Sequence, residues 1–287
     1  MSVLTHQKNL LNLVQDDLSR GVVMCAQESN ALLGLLPVHT TGGAMRHTFN
    51  QITELPASQF RELGQEVEAG DTATVTPRTV DLKIIMNDFL IDRAYLYGVG
   101  NINDVLATQT KAHTQALASD FNKSLLYGTG VGAEVLGLNA MLTHATYPCG
   151  KEFKSELTMD LLDEALDYVK IGTSKRVIVC NSAKKREINK LMRTNGMAPQ
   201  SLELFGSQVQ AYDNCPIVVD EAVKNGELWV LYLDADQGVS LATVNGLQGR
   251  QPVEQGTQCR VAIEMISAPM VRHHKAFAVI KSTTRAK

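Results

Sequence analysis

Carboxylates are the first candidates for chemistry, because paired Asp and Glu side chains can bind a metal ion or act as an acid and a base. Asp220 and Glu221 follow the apolar run PIVV, and Asp234 and Asp236 follow the run WVLYL. None of the four has the spacing of an EF-hand loop, a DxD motif or an HExxH helix. We therefore expect solvated strand ends at these positions.

The histidines and the possible nucleophiles lack partners in the sequence. His113 falls on a long helical stretch without a second ligand, so we expect a satisfied, partly exposed side chain. His273 and His274 are adjacent and would point to opposite faces of a strand. Ser182 lacks a GxSxG elbow, and Cys149 has no evident histidine partner. The sequence therefore predicts no catalytic residue, no metal site and no cofactor.

The five cysteines are scattered, and no pair has the CxxC spacing of a zinc site or a redox motif. Two of them lie at the edges of apolar runs, where cysteine behaves as a small hydrophobic residue. We expect buried thiols and no disulfide framework. The five are Cys25, Cys149, Cys180, Cys215 and Cys259.

Two motifs could bind phosphate, and neither has the right context. The GxGxG arrangement in YGTGVG follows a helix, whereas a dinucleotide-binding loop follows a strand and opens a helix. We interpret it as a helix stop. A basic run lacks aromatic stacking partners, so a solvated helix face explains it, and the net charge of -3 does not indicate a basic nucleic-acid surface. The run comprises Lys184, Lys185, Arg186, Lys190 and Arg193.

The composition is typical of a folded protein with a sizeable core: 287 residues, 44% hydrophobic and 20% charged. No apolar run approaches the ~18 residues that cross a bilayer. The first residues lack the basic start, apolar middle and cleavage site of a signal peptide. We therefore expect the protein to stay in the cytosol where it is made.

Periodicity predicts the elements that must carry any function. Two helical stretches before Pro37 form an arm, or else an ordinary helical hairpin on the core. Residues 46–95 are predicted to be extended and to form a long two-stranded excursion with a charged tip at about Phe60–Asp71. An isolated ribbon is marginally stable in water, so it leans on another molecule or folds flat on its own domain. The first alternative indicates assembly.

Residues 101–127 contain no proline or glycine and predict one helix of roughly 35 to 40 Å, only half covered by its own chain. From about 155 to 250 the order is helix, strand, helix, strand, strand, which favours a small α/β domain. The last β segment is expected to return to the domain of the long helix. The α/β region is then an insertion between two halves of another domain.

This order of parts resembles the major capsid protein of tailed bacteriophages, with the Hong Kong-ninety-seven-type fold. LPASQFRELGQEV resembles the extended loop (E-loop), and NDVLATQTKAHTQALASDFNKSLLYGTG resembles the spine helix of the peripheral (P) domain. GLNAML resembles the lead into the axial (A) domain, and FGSQVQAYDNCPIVVDEAV an A-domain strand. APMVRHHKAFAVIKST resembles the closing P-domain strand. The resemblance therefore covers nearly the whole chain, and it lies in the order of the elements and the general character of their sequences.

The resemblance implies an α+β capsid fold with four parts. They are an N-terminal helical arm over 1–45, an E-loop hairpin over 46–88, a P domain over 89–135 and 252–287 with its spine helix at about 101–127, and an inserted α/β A domain over 136–251. At the E-loop tip, a charged and glycine-punctuated loop too exposed to stabilise itself, four residues are predicted to contact the next subunit. They are Phe60, Arg61, Glu62 and Glu66.

The implied function is structural and not enzymatic. Copies of the chain would form the pentamers and hexamers of an icosahedral shell around the double-stranded DNA genome, in the virion head after assembly in the host cytoplasm. The implied partners are other copies, a portal protein, non-specifically contacted DNA and no membrane. Because only ~40 residues precede the E-loop, a separate scaffolding protein is expected, and a decoration protein is allowed.

Three other interpretations stay open at this point. An encapsulin, a bacterial compartment shell with the same fold, would bind cargo near the N-terminal helix at residues 6–20. An α/β enzyme would need a pocket with convergent polar groups and shifted pKa values, for which no motif is present. A nucleic-acid-binding module is disfavoured by the pI of about 6.2.

Overall fold

The computed structural model describes residues 30–54, 60–63, 74–92, 102–145, 148–169, 175–197, 200–204, 207–250 and 253–282. These residues form a mixed α+β structure, as predicted. Its helices are α1 (Ala31–Leu35), α2 (Ile102–Tyr127), α3 (Leu138–Met141), α4 (Met159–Tyr168) and α5 (Ser182–Thr194). Its strands are β1 (Val38–Thr40), β2 (Arg46–Glu54), β3 (Thr74–Asp81), β4 (Lys83–Asp92), β5 (Lys151–Phe153), β6 (Arg176–Cys180), β7 (Gln200–Leu204), β8 (Ser207–Tyr212), β9 (Cys215–Val219), β10 (Glu227–Tyr232), β11 (Val239–Gly249), β12 (Val253–Gln255), β13 (Gln258–Val271) and β14 (Phe277–Lys281).

A two-stranded ribbon, made of β2 and β3, forms the predicted excursion. Its antiparallel ladder runs from Arg46 opposite Asp81 to Glu54 opposite Thr74. The hairpin prediction extended to residue 88, but the chain leaves the ribbon at Leu82, which is buried and donates its N–H to the Met45 carbonyl. Residues 83–92 form β4 and pair with β13 instead.

A five-stranded sheet carries the ribbon. Its order is β1-β11-β13-β12, with β4 on the free side of β13. The long strand β13 pairs with β4 over ten residues, from Gln258 opposite Asp92 to Ser267 opposite Lys83. One side of this sheet packs on α2, where His113 stacks on Phe89 of β4 with the ring centroids 4.2 Å apart.

A seven-stranded sheet has the order β5-β14-β10-β6-β9-β8-β7 and forms the predicted α/β region. The strands around Pro216 and Trp229 are both buried, and β6 lies between them. The hairpin β7–β8 was not predicted. The turn before Pro216 contains Asp213 (φ 44°) and Asn214 (φ 57°), and two consecutive positive φ angles define the tight hairpin turn that joins β8 to β9.

Two hydrophobic cores lie on the two faces of the seven-stranded sheet. Trp229 and Leu231 of β10 face the core that also contains α2 and the five-stranded sheet. Leu228 and Val230 face the second core, under α4 and α5. Because successive residues of a strand point to opposite faces, the apolar run Leu228–Leu231 serves both cores. Trp229 is completely buried, so the single tryptophan belongs to the centre of the molecule.

The last strand lies in a different sheet from the one expected from the sequence. Strand β13 returns to the sheet beside α2, as expected, but β14 does not. It pairs with β10 in the seven-stranded sheet, with Val279 opposite Trp229. Its side chains supply both cores, Phe277 and Val279 to one and Ala278 and Ile280 to the other, which a strand inside a covered sheet can do. Conversely, β11 lies in the five-stranded sheet, although it falls before residue 252.

Helix α2 matches the predicted bounds of the long helix and is about 39 Å long at 1.5 Å per residue. Leu117 and Phe121 are buried as predicted, whereas Ala116 is exposed. The glycines after it act as the predicted stop: the Gly128 N–H bonds the Ser124 carbonyl, and a side chain at Gly128 would collide with the Val135 carbonyl oxygen. Within the described part of the chain, no helix is long and apolar enough to cross a membrane.

Candidate assembly surfaces

The distal end of the ribbon carries large apolar side chains in full contact with solvent. Phe60 and Leu63 have relative exposures of 105% and 106%, and Arg61 and Glu62 between them are also exposed. Glu66, the fourth residue predicted at the tip, lies outside the described residues. Large apolar groups that a monomer leaves uncovered are typical of a binding surface.

The root of the ribbon is held by the core. His47, Phe49 and Gln51 point to one side, as the alternation predicted, and Phe49 and Gln51 are buried. Arg78 of β3 donates its Nε–H to Gln51 Oε1 at 3.1 Å, and the Arg272 guanidinium lies 5.6 Å from the Phe49 ring centroid. The ribbon is therefore anchored at one end and presents its apolar tip at the other.

Histidines gather around this root. The rings of His39 and His47 lie 4.8 Å apart, next to Arg272. Burial and then the two neighbouring bases lower the pKa of His39, while Asp236 acts in the opposite direction. Burial and then Arg272 lower the pKa of His47. Protonating either imidazole would place positive charge beside a permanent guanidinium charge.

A second surface, which we call the open face, is the side of β4, β13 and β12 that points away from α2. Along β4, every second side chain is exposed, and cross-strand partners of these residues lie on the same face. Two ion pairs cross it, Arg260 with Asp88 and Arg250 with Glu264. Its apolar members are Ile84 (56% exposed), Met86 (51%), Leu90 (55%), Val253 (64%) and the half-buried Ile266.

The alternation in KIIMNDFLID explains the open face. Ile85 and Phe89 point inward to the core beneath α2, and the residues between them point outward. A half-buried strand would ordinarily carry polar residues on its outer side. The strand is predicted from the sequence and this surface is not, although the apolar residues at alternate outward positions are a signal for it.

Asp220 corrects the prediction of solvated strand ends. It is 4% exposed, and its carboxylate accepts hydrogen bonds from Asn122 Nδ2 on α2 at 2.8 and 2.9 Å. It also accepts from the backbone N–H groups of Leu32 at 3.2 Å and Ala222 at 2.9 Å. One carboxylate thus ties together α1, the long helix and the end of β9, because a buried charge must be saturated with donors.

Asp234 and Lys184 were also predicted to be solvated, and both predictions are wrong. Asp234 pairs with Lys175. Burial opposes its ionisation, but hydrogen bonds from Lys175 and the Gln237 N–H outweigh burial and lower its pKa. Lys184 is buried, and its ammonium donates to Glu187 at 2.7 Å and Ser282 at 2.6 Å. Glu221 and Asp236 are exposed, as predicted.

Of the predictions made for the histidines, one is confirmed and one is wrong. His113 is half-buried and satisfied, as predicted, with Nδ1 3.0 Å from Asn87 Oδ1. His273 and His274 lie in a turn after β13 and not on a strand, so their rings stack 4.5 Å apart instead of pointing to opposite faces. Burial, with His274 and Lys275, lowers the pKa of His273 to about 4.

The described cysteines are buried, as predicted, and each is a free thiol; Cys25 lies outside the described residues. Burial raises the pKa of the Cys180 thiol to about 11, which keeps it protonated. Among the described residues, no three histidine, cysteine or carboxylate side chains are grouped to hold a metal ion. The features that stand out in this structure are surfaces and not a reactive cluster.

Comparison of this chain with known protein families gives one match over nearly its whole length. A family model described as the SU10 major capsid protein matches residues 5–284. No curated protein matches the chain.

Solved structures share the fold at low identity. The holo-SrpI encapsulin complex from Synechococcus elongatus PCC 7942 is 16% identical, with a TM-score of 0.68 over 88% of this chain and 86% of that chain. The capsid of a native GTA particle is 12% identical, with a TM-score of 0.67 over 88% and 90%. The capsid of cyanophage A-1(L) is 12% identical, with a TM-score of 0.66 over 88% and 92%. The shared architecture is the Hong Kong-ninety-seven-type capsid fold.

Proposed function

Because the chain belongs to the SU10 major capsid protein family and is thus a major capsid protein of a tailed bacteriophage, we propose that its copies form the pentamers and hexamers of an icosahedral shell. The observation that carries this proposal is the ribbon. Its root is buried in the core, while Phe60 and Leu63 at its tip are fully exposed. Uncovered apolar groups at the end of an anchored ribbon do not stabilise a monomer, but they can bind a neighbouring subunit.

The tip and the open face are chemically complementary, because each combines apolar side chains with charges of both signs. The tip offers two apolar side chains flanking Arg61 and Glu62, and the open face offers apolar side chains crossed by ion pairs of both signs. We propose that the tip of one copy lies on the open face of the next. Burying apolar area on both sides supplies the favourable free energy, at about 25 cal/mol for each Å².

The parts of the chain are assigned by sheet membership. The ribbon, with the segment between its strands, is the E-loop. Residues 1–45 are the arm, whose strand β1 adds an edge strand to the five-stranded sheet. The five-stranded sheet with α2 as spine helix is the P domain, and the seven-stranded sheet with α4 and α5 is the A domain. This assignment moves β11 (Val239–Gly249) into the P domain and β14 (Phe277–Lys281) into the A domain.

The remaining partners follow from the role of a shell. Double-stranded DNA is enclosed and contacted without sequence preference, and a net charge of -3 suits a lining that tolerates DNA without gripping it. A portal protein, a separate scaffolding protein and a decoration protein complete the proposed set. Assembly takes place in the host cytoplasm. The role is structural and requires no catalytic residue and no cofactor.

Electron microscopy of the purified protein, expressed alone and then with its neighbouring genes, tests this function. We expect closed shells, tubes, or free pentamers and hexamers. A persistent monomer or dimer under every condition would overturn the shell proposal. Shells that enclose a cargo enzyme instead of DNA would favour the encapsulin interpretation.

The tip is tested by two double variants. Phe60→Ser with Leu63→Ser removes the apolar groups, and we expect folded protein that no longer assembles. Arg61→Ala with Glu62→Ala removes the charges, and we expect impaired assembly. Shell formation at the wild-type level by both variants would show that the tip does not make the contact.

A further inference from the structure

A groove in the A domain concentrates negative charge. It has a volume of about 710 Å³ and lies between α4, α5 and the end of β8. Asp163 and Asp167 of α4 stand one helical turn apart on its wall, and Asp213 stands on the hairpin turn opposite. Met192 and Met197 line the other side. We call this feature the acidic groove.

The carboxylates of the acidic groove are held in place. Tyr212 donates its hydroxyl to Asp163 Oδ1 at 2.7 Å, and burial together with that carboxylate raises the pKa of Tyr212. Asp213 lies 3.5 Å from Arg176, whose side chain is buried. Asp163 and Asp167 remain exposed to solvent. The groove thus keeps a negative potential at its mouth, above an apolar wall of methionines.

The neighbouring helix α5 carries the opposite charge. Arg186, Lys190 and Arg193 have the spacing of one helix face and are exposed; we call them the basic stripe. Among the described residues, the Nε–H groups of Arg186 and Arg193 donate to carbonyls of their own helix, those of Ser182 at 3.3 Å and Asn189 at 3.1 Å. Within the described residues, none of the three makes an ion pair, and the adjacent Lys184 is turned inward to Glu187.

One chain therefore presents two complementary surfaces in the same helical layer of one domain. A ring of identical subunits is closed by heterologous contacts, in which one patch of each subunit meets a different patch of the next. Complementary charge specifies such a contact and disfavours wrong pairings. The long stems of Arg and Lys pack well on flexible methionine side chains.

We propose that the acidic groove of one A domain receives the basic stripe of the next A domain around each ring. This inference rests on the proposed shell function and adds the partner surface: a second copy of this chain, recognised by Arg186 and Lys190 against Asp163 and Asp167. The ribbon joins neighbours through apolar contact, and the A domains add the contact that selects orientation. The competing partner of the basic stripe is DNA, which the test separates.

Reversing the charge of each surface, singly and then together, tests this contact and includes its own control. The variant R186E/K190E makes both surfaces acidic, and D163K/D167K makes both basic. The variant with all four substitutions restores complementarity with reversed sign. We expect each two-site variant to raise the protein concentration needed for assembly about tenfold or more, since each 1.4 kcal/mol lost is a factor of ten. The four-site variant assembles like the wild type.

Mixing the two-site variants sharpens the test. Contacts between unlike variants are complementary in both directions, so the variants can alternate around a ring with an even number of subunits. Six-fold rings close, whereas five-fold rings contain at least one like-charged contact. We expect the equimolar mixture to form hexamers, sheets or tubes in electron micrographs, and closed shells to be rare.

Several outcomes overturn the inference. One is wild-type assembly of either two-site variant. Another is a four-site variant that folds, by circular dichroism, but does not assemble. Normal shells of R186E/K190E with reduced DNA binding would assign the stripe to DNA. If a reversed variant fails to fold, R186Q/K190Q must show weakened assembly that salt no longer affects. Failure of the wild type to assemble at all would instead refute the shell function.

Discussion

At the scale of residues, the buried carboxylate of Asp220 has the clearest energetic consequence. Its donors come from three separate parts of the chain: Asn122, the Leu32 N–H and the Ala222 N–H. In Asp220→Ala these donors lose their acceptor while they stay buried. We expect the free energy of unfolding of the unassembled protein to fall by roughly 2 to 4 kcal/mol, because several buried donors are left unsatisfied.

Urea denaturation measures this loss, and Asp236→Ala is the matched control. Asp236 is an exposed aspartate, and its removal should change the free energy of unfolding by less than about 0.5 kcal/mol. Equal stability of the two variants would contradict the role of Asp220 as the tie between α1, α2 and β9.

The histidines predict a pH dependence. The pKa values of His39, His47, His273 and His274 are all lowered in the folded protein, chiefly by burial, from a reference of 6.5 and to about 4 for His273. The facing charges are Arg272, Lys275 and Asp236. Above pH 6.5 both folded and unfolded forms are neutral. Below it the unfolded chain binds protons first, so stability is lost as the pH falls towards 4.

Urea denaturation at a series of pH values checks this expectation. The free energy of unfolding should decline between pH 6.5 and pH 4, and the double variant His47→Gln with His273→Gln should show a shallower decline. A wild-type curve that is flat over this window, or a variant curve as steep as the wild type, would count against the histidines. His39 and His47 lie at the root of the ribbon, so part of this loss of stability falls where the ribbon is anchored.

At the scale of elements, the turn between β8 and β9 is set by two residues. Asp213 and Asn214 adopt positive φ angles of 44° and 57°, which β-branched residues resist by about 1 to 2 kcal/mol. Asn214→Val should therefore lower the free energy of unfolding by that amount, whereas Asn214→Gly should preserve it. Denaturant titration of both variants makes the comparison, and a Val variant as stable as the Gly variant would be the contrary result.

The ribbon shows why an element can be recognised without its neighbours. Alternation in RHTFNQITEL predicts a strand whose inward side is His47, Phe49 and Gln51, and the structure confirms it. No glycine or proline follows Pro77 up to Asp92, so no turn signal in the sequence marks the change of partner at Leu82. Only the pairing of β4 with β13 marks the end of the ribbon.

At the scale of the whole molecule, the open face separates folding from assembly. Ile84, Met86 and Leu90 are more than half exposed, so replacing all three by Ser should leave the stability of the unassembled protein nearly unchanged. The same change removes the apolar surface proposed for the neighbouring tip. We expect folded protein that forms no shells in electron micrographs.

The control for this variant is Val131→Ser, which removes an apolar side chain that is 77% exposed in the loop after α2. It should assemble as the wild type does. Normal shells from the triple Ser variant would exclude the open face as a contact. A triple variant that unfolds would show instead that these side chains serve the monomer.

The sequence by itself determined the local elements and the family. Periodicity, glycines and prolines act over a few residues, so the long helix, the ribbon, the buried Trp229 strand and the helix stop at Gly128 could all be predicted. The order of those elements was enough to identify the capsid fold, which the match over residues 5–284 confirms.

Only the tertiary structure decided which distant segments meet. It placed β14 beside β10, turned Asp220 and Lys184 inward, and put an acidic groove and a basic stripe on one helical layer. Each of these depends on contacts between residues far apart in the chain, and neither periodicity nor composition records such contacts. A carboxylate at a strand end looks the same in sequence whether water or Asn122 surrounds it.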